Sequence, residues 1–122
     1  MNLWFAVFIG GGLGSVVRFG ISAITTSNFK HIKPEATLIS NFLATALLGL
    51  LLYYFHEKQS LSDTTKAFLV TGFCGGFSTF STFSYETIEL MKHHSILYGT
   101  LNILISLSLG IAVLFLVSKF AN

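Results

Sequence analysis

Four apolar stretches run along this chain, at roughly Leu3–Ile24, Ala36–Phe55, Ala67–Tyr85 and Ile96–Val117. Each is close to the ~20 residues that an α-helix needs to cross a bilayer. The linkers between them are short and polar. Thr25 to Lys33 leads into Pro34, a residue suited to the first turn of a second helix. Glu57 to Thr65 contains Asp63, which reads as an N-cap for the third helix. Lys92-His93-His94-Ser95 joins the third stretch to the fourth, with Ser95 a second candidate cap. Trp4, Tyr53, Tyr54 and Tyr98 fall near span ends, where amphipathic rings settle at the membrane interface. The first stretch has no basic lead-in, is interrupted by Arg18 and is too long for a signal-peptide core, so it counts as a span. No internal repeat and no low-complexity tract is visible.

The third stretch breaks the pattern. Gly72-Phe73-Cys74-Gly75-Gly76-Phe77-Ser78-Thr79-Phe80-Ser81-Thr82-Phe83-Ser84-Tyr85-Glu86 lies inside an apolar region and still carries three glycines and five Ser/Thr hydroxyls. Each glycine weakens a helix by roughly 1 kcal/mol against alanine. The cluster therefore predicts an interruption with freed main-chain groups. Inside a bilayer such groups persist only where protein or a polar cavity receives them. The expectation is a discontinuous helix at an ion site. Phe77, Phe80 and Phe83 form one ridge if the segment after the glycines is helical. Such a stripe is ordinarily core packing. Its sharper reading is a set of weakly positive ring edges aimed at an anion.

Polar residues four apart share a helix face. In the first span Gly10, Gly14, Arg18 and Ser22 form such a row, and Gly10-x-x-x-Gly14 permits close helix approach. A charge inside a span is expensive in lipid. Arg18 therefore faces a partner or a watery vestibule, or snorkels to the interface. In the second span Thr37, Asn41, Thr45 and Gly49 line up. A buried Asn41 amide needs partners, and a hydrogen bond between helices suffices to explain it. In the fourth, Tyr98, Asn102, Ser106 and Gly110 repeat the pattern while Ser108 points elsewhere. These rows serve equally as packing or as a substitute for an ion's water shell. Glu86 and Glu89 read as a helix end, with solvation explaining Glu89. Cys74 reads as a small packing residue.

Composition narrows the class. The 122 residues make one domain, 1–122, with 52% hydrophobic and only 10% charged residues, and mean hydropathy is +0.74. A soluble domain carries about 25% charged residues, so the chain reads as an all-α protein of the lipid bilayer. A net charge of +2, scattered, points away from nucleic acid. A single cysteine excludes an internal disulfide and a thiolate cluster. Neither a nucleophile beside a base nor a phosphate loop is recognisable. His31, His56, His93 and His94 fall in linkers or at span ends, so the chain reads as no enzyme. Lys58, Lys66 and Lys119 fall on one side of the membrane, and Lys30, Lys33 and Lys92 on the other. That balance leaves the rule setting orientation from basic residues nearly silent. Either the protein inserts both ways and pairs antiparallel, or another signal orients it.

The motif from Gly72 to Ser84 closely resembles the third-helix signature of the Fluc (CrcB) fluoride channels. Gly11-Gly12-x-Gly14-x-x-x-Arg18 and the in-span Asn41 resemble that family too, and the resemblance covers the whole chain. It implies four transmembrane helices with a broken third, assembled as an antiparallel dual-topology homodimer with two fluoride pores. It implies that Phe80 and Phe83 are the pore-facing phenylalanines and Asn41 the pore-lining asparagine. Ser81 and Thr82 fall on the family's third-helix polar track, and Asn102 and Ser106 on that of the fourth. Arg18 matches the vestibule arginine. Glu86 falls on the acidic position at the helix end, a candidate for gating. Gly75 and Ser78 match the main-chain carbonyls that hold a central structural sodium ion, two from each subunit. Asn102 and Gly110 depart from the family's tyrosine-serine-serine track, and Ala44 stands where many members have glycine. The resemblance implies passive export of cytoplasmic fluoride. A small multidrug-type, proton-coupled transporter is the rival four-span reading, but it needs a carboxylate in the first span, where this chain carries Arg18.

Overall fold

The computed structural model describes residues 1–55 and 60–121, and among these the regular structure is all helical, with no strand. Helix α1 spans Leu3–Ile24, with the Asn2 side chain accepting from the Trp4 N–H as its N-cap. Helix α2 spans Pro34–Phe55. Proline occupies its first turn as expected, and its last residues, Leu50–Phe55, widen into π-helical turns. Helix α3 covers residues 63–77: an α-helical turn Asp63–Lys66, a π-helical run Ala67–Cys74 and a final turn Gly75–Phe77. Helix α4 spans Phe80–His93 and α5 spans Ile96–Ala121.

Helices α1, α2 and α5 are long and apolar enough to cross a membrane. The third region is divided, because Ser78 and Thr79 adopt extended backbone between α3 and α4. Its helical structure continues two turns past Tyr85, to His93. Glu86 is therefore no helix end. It lies within α4 and is only 4% exposed. Apolar length underestimated this helix because α4 sheds its hydrophobic character before it ends. Two further expectations change. The N-cap of α3 is Ser62, whose hydroxyl accepts the Thr65 N–H, and Asp63 is the first helical residue. The ridge of three phenylalanines is cut by the extended pair, so Phe77 is buried against Phe73 while Phe80 pairs with Phe83. Ser95 caps α5 as expected, accepting from the Tyr98 N–H. The lysine balance used Lys58, and the linker histidines included His56; both lie outside the described residues.

Packing is not sequential. Helix α1 lies chiefly along the 67–74 run of α3, whereas α5 packs on α2 and α4. The α1–α3 contact depends on missing side chains. A Cβ on Gly10 would strike the Phe68 carbonyl, one on Gly14 the Phe73 carbonyl, and one on Gly76 the Gly11 carbonyl. Backbones this close gain van der Waals contact, which substitutes for the hydrophobic effect inside lipid. Ala6, Gly10 and Gly14 are the buried residues of α1, while Cys74 is buried within α3 as a packing residue. The first polar linker folds back on the α4–α5 corner, where Phe29 meets His94 edge to face at 4.7 Å.

Candidate functional site

The site is built around the extended residues Ser78 and Thr79. At the end of α3 the Ser78 N–H and its hydroxyl both bond to the Cys74 carbonyl, at 3.0 and 2.9 Å. Thr79 then turns away from the helix. Its side chain caps α4 by accepting the Thr82 N–H at 3.2 Å. Two side chains from other helices tie down the chain here. Asn41 of α2 accepts the Thr79 N–H at 2.7 Å and donates to the Thr79 carbonyl at 3.2 Å. Arg18 of α1 donates from Nε to the Gly76 carbonyl at 3.0 Å. These bonds satisfy the Gly76 carbonyl and both main-chain groups of Thr79, as buried main-chain groups require.

Thr79 lines two cavities. The first has a volume of about 360 Å³ and is walled by Phe80, Phe83, Asn41, Thr45, Ser106 and Gly110, among others. Two phenyl rings, small polar groups and the aliphatic Leu107, Ile111 and Leu114 share its lining. The Phe80 and Phe83 centroids stand 6.1 Å apart with the rings inclined at 41°. Phe80 is 80% exposed on the single chain, as is Phe120. The second cavity, of about 370 Å³, is walled by Arg18, His31, Lys33, Ser40, Thr82 and Glu86, among others. It gathers two permanent cations around one carboxylate. The Glu86 Oε2 accepts the Lys33 N–H at 2.9 Å, and the Lys33 Nζ reaches the Ser22 carbonyl at 2.6 Å.

The expected site residues therefore divide. Phe80, Phe83, Asn41 and Ser106 share the first cavity. Arg18, Thr82 and Glu86 share the second. Ser78 lines the first cavity, and Gly75, three residues before it, is exposed with nothing within 4 Å of where its Cβ would stand. Ser81 is exposed, its hydroxyl 3.3 Å from that of Thr79. Asn102 stands apart from both cavities: its amide donates to the Thr87 hydroxyl at 2.9 Å, tying α5 to α4. Ser40 escaped the sequence reading. It is 1% exposed, its hydroxyl has no hydrogen-bond partner, and it faces the second cavity. The signal was its spacing of three from Thr37, which a search at spacing four passes over.

Comparison with known proteins identifies the family. The family model described as CrcB-like protein, Camphor Resistance (CrcB), matches residues 5–118. A fluoride-specific ion channel FluC from Flavobacterium psychrophilum is 38% identical over 111 residues, covering 91% of this chain and 90% of the relative. One of the same name from Clostridium perfringens is 41% identical over 111 residues, covering 91% and 85%. Fluoride-specific ion channel FluC 1 of Yersinia pestis is 38% identical over 125 residues, covering 99% and 98%. With its apolar helices and a family model matched along nearly its whole length, the chain is a multi-pass membrane protein that belongs to the CrcB family.

Proposed function

We propose that this chain is the subunit of a fluoride-selective channel that passes cytoplasmic fluoride passively out of the cell. Two subunits pair antiparallel after inserting in both orientations, form two pores and hold a structural sodium ion between them. The observation that carries the reading is the first cavity, which Phe80 and Phe83 line together with Asn41, Thr45 and Ser106. The relatives' names supply the identity of the ion.

The chemistry follows from the walls. Fluoride is small and strongly hydrated, so a pore must replace its water with many weak donors and must not bind it tightly. The phenyl edges carry partial positive charge, and hydroxyl and amide groups donate hydrogen bonds. Arg18 and Lys33 raise the local anion concentration in the second cavity. The carboxylate of Glu86 opposes them there and is the group best situated to gate.

The carbonyls of Gly75 and Ser78 would hold the sodium ion. Neutral carbonyl oxygens balance a single positive charge without carboxylates. The open space beside Gly75 admits an ion or a second subunit. When bound, the ion offsets carbonyl dipoles that would otherwise repel one another across the subunit interface. The multidrug-type alternative is not favoured, because α1 carries no Asp or Glu.

The test is efflux from liposomes loaded with fluoride or chloride and containing the purified protein. Fluoride efflux without chloride efflux is expected. Liposomes that retain their fluoride under a gradient would sink the proposal.

A further inference from the structure

In an unbroken α-helix each carbonyl takes the N–H four residues on. The Gly75 carbonyl would take the Thr79 N–H, and the Ser78 carbonyl the Thr82 N–H. Neither pair forms. The Thr79 N–H goes to Asn41 Oδ1 at 2.7 Å, and the Thr82 N–H goes to Thr79 Oγ1 at 3.2 Å. In both cases a side-chain oxygen has taken the amide that would have consumed a break carbonyl. Three neighbouring carbonyls are occupied. That of Cys74 accepts twice from Ser78, that of Gly76 accepts from Arg18, and that of Thr79 accepts from Asn41.

We infer that Asn41 Oδ1 and Thr79 Oγ1 are positioning acceptors: they divert the Thr79 and Thr82 amides and so hold the Gly75 and Ser78 carbonyls open to a monovalent cation. The inference rests on reading the break as a sodium site. It gives Asn41 a second task beside lining the first cavity, and it gives Thr79 a task that the family resemblance did not assign. It also explains why two hydroxyls follow one another at the break. The Ser78 hydroxyl closes α3 on the Cys74 carbonyl, and that of Thr79 opens α4. With either acceptor removed, the helix gains its ordinary amide–carbonyl pair and the cation loses a ligand.

The experiment is a sodium titration of the thermal unfolding temperature of the purified assembly in detergent. N-methylglucamine chloride keeps ionic strength constant. Thr79→Val keeps the shape of the side chain without its acceptor, Thr79→Ser keeps the hydroxyl, and Asn41→Leu removes the amide. We expect Thr79→Val and Asn41→Leu to raise the sodium midpoint at least tenfold, and Thr79→Ser to keep the parent midpoint. Thr79→Val decides the matter alone if Asn41→Leu does not fold. An unchanged midpoint in Thr79→Val overturns the inference, as does a parent protein whose stability ignores sodium. Neither result touches the channel reading, which fluoride efflux decides separately. A protein that binds sodium but conducts no fluoride would refute the channel and leave the two acceptors in place.

Discussion

Arg18 Nε donates to the Gly76 carbonyl at 3.0 Å, joining α1 to the last turn of α3 across 58 residues of chain. A hydrogen bond from a charged donor contributes about 1.5–3 kcal/mol. Arg18→Ala should lower the stability of the detergent-solubilised protein by that order, read as a fall in unfolding temperature. Arg18→Lys should recover less than half, since a flexible ammonium lacks the fixed Nε–H. Equal melting of Arg18→Lys and the parent would reduce the residue to its charge.

The glycines separate into two groups. Gly14 and Gly76 meet backbone across the α1–α3 contact, whereas Gly20 has nothing within 4 Å of where a Cβ would stand. Gly14→Val should cost more than the ~1–3 kcal/mol of ordinary overpacking, because carbonyl groups cannot rotate aside, and it should abolish folded protein on size exclusion. Gly20→Ala should hold or raise the unfolding temperature, since alanine favours helix over glycine by about 1 kcal/mol. A Gly14→Val protein that folds normally would contradict the described packing.

Phe80 and Phe83 line the first cavity. Phe80→Ile and Phe83→Ile remove the ring quadrupole and keep an apolar side chain. Fluoride efflux should fall at least a hundredfold in both, with the parent's elution peak retained on size exclusion. Efflux at the parent rate in both variants would take the rings out of the permeation path.

Asn102 joins α5 to α4 through the Thr87 hydroxyl. Asn102→Ala should therefore cost about 1 kcal/mol of stability, the usual worth of one hydrogen bond, with fluoride efflux within threefold of the parent. A large loss of flux at unchanged stability would restore Asn102 to the pore.

Glu86 presents a carboxylate to the second cavity and accepts the Lys33 N–H through Oε2. Glu86→Gln keeps an acceptor for that amide, so it should fold with stability within about 1 kcal/mol of the parent. Fluoride efflux should equal or exceed that of the parent, because one negative charge has left an anion's path. A strong loss of efflux in Glu86→Gln would mean that the charge itself is required.

The helical architecture could be read from apolar run lengths, and an interruption from the Gly72–Ser84 motif, although Gly72, Gly75 and Gly76 are themselves helical and the extended residues are Ser78 and Thr79. Pairing across the break could not be read. That Asn41 and Arg18 converge on Thr79 and Gly76 depends on helix rotation and on α1 choosing α3 over α2, which no local pattern encodes. Spacing brought Arg18 into a row with Gly10 and Gly14, but not its acceptor. Glu86 was placed at a helix end because the apolar run stops at Tyr85, whereas the helix continues to His93. The burial of Glu86 follows from the folded-back first linker, whose Lys33 N–H supplies the hydrogen bond. Asn102 shares the spacing of Ser106 and still serves a different contact, since four-residue spacing fixes a face and not what that face meets.

The α1–α3 pairing also sets a schedule for biosynthesis. Helix α1 ends at Ile24, and the run it packs against begins at Ala67. Roughly 40 residues must be added between them, which takes about 2–8 s at ~5–20 residues per second. During that interval the glycine groove of α1 stands open in the membrane beside α2, a neighbour with which it shares little contact. The nascent chain therefore carries an unfilled helix-docking surface for seconds, and a foreign small-residue helix that reached it first would compete with α3 for the groove.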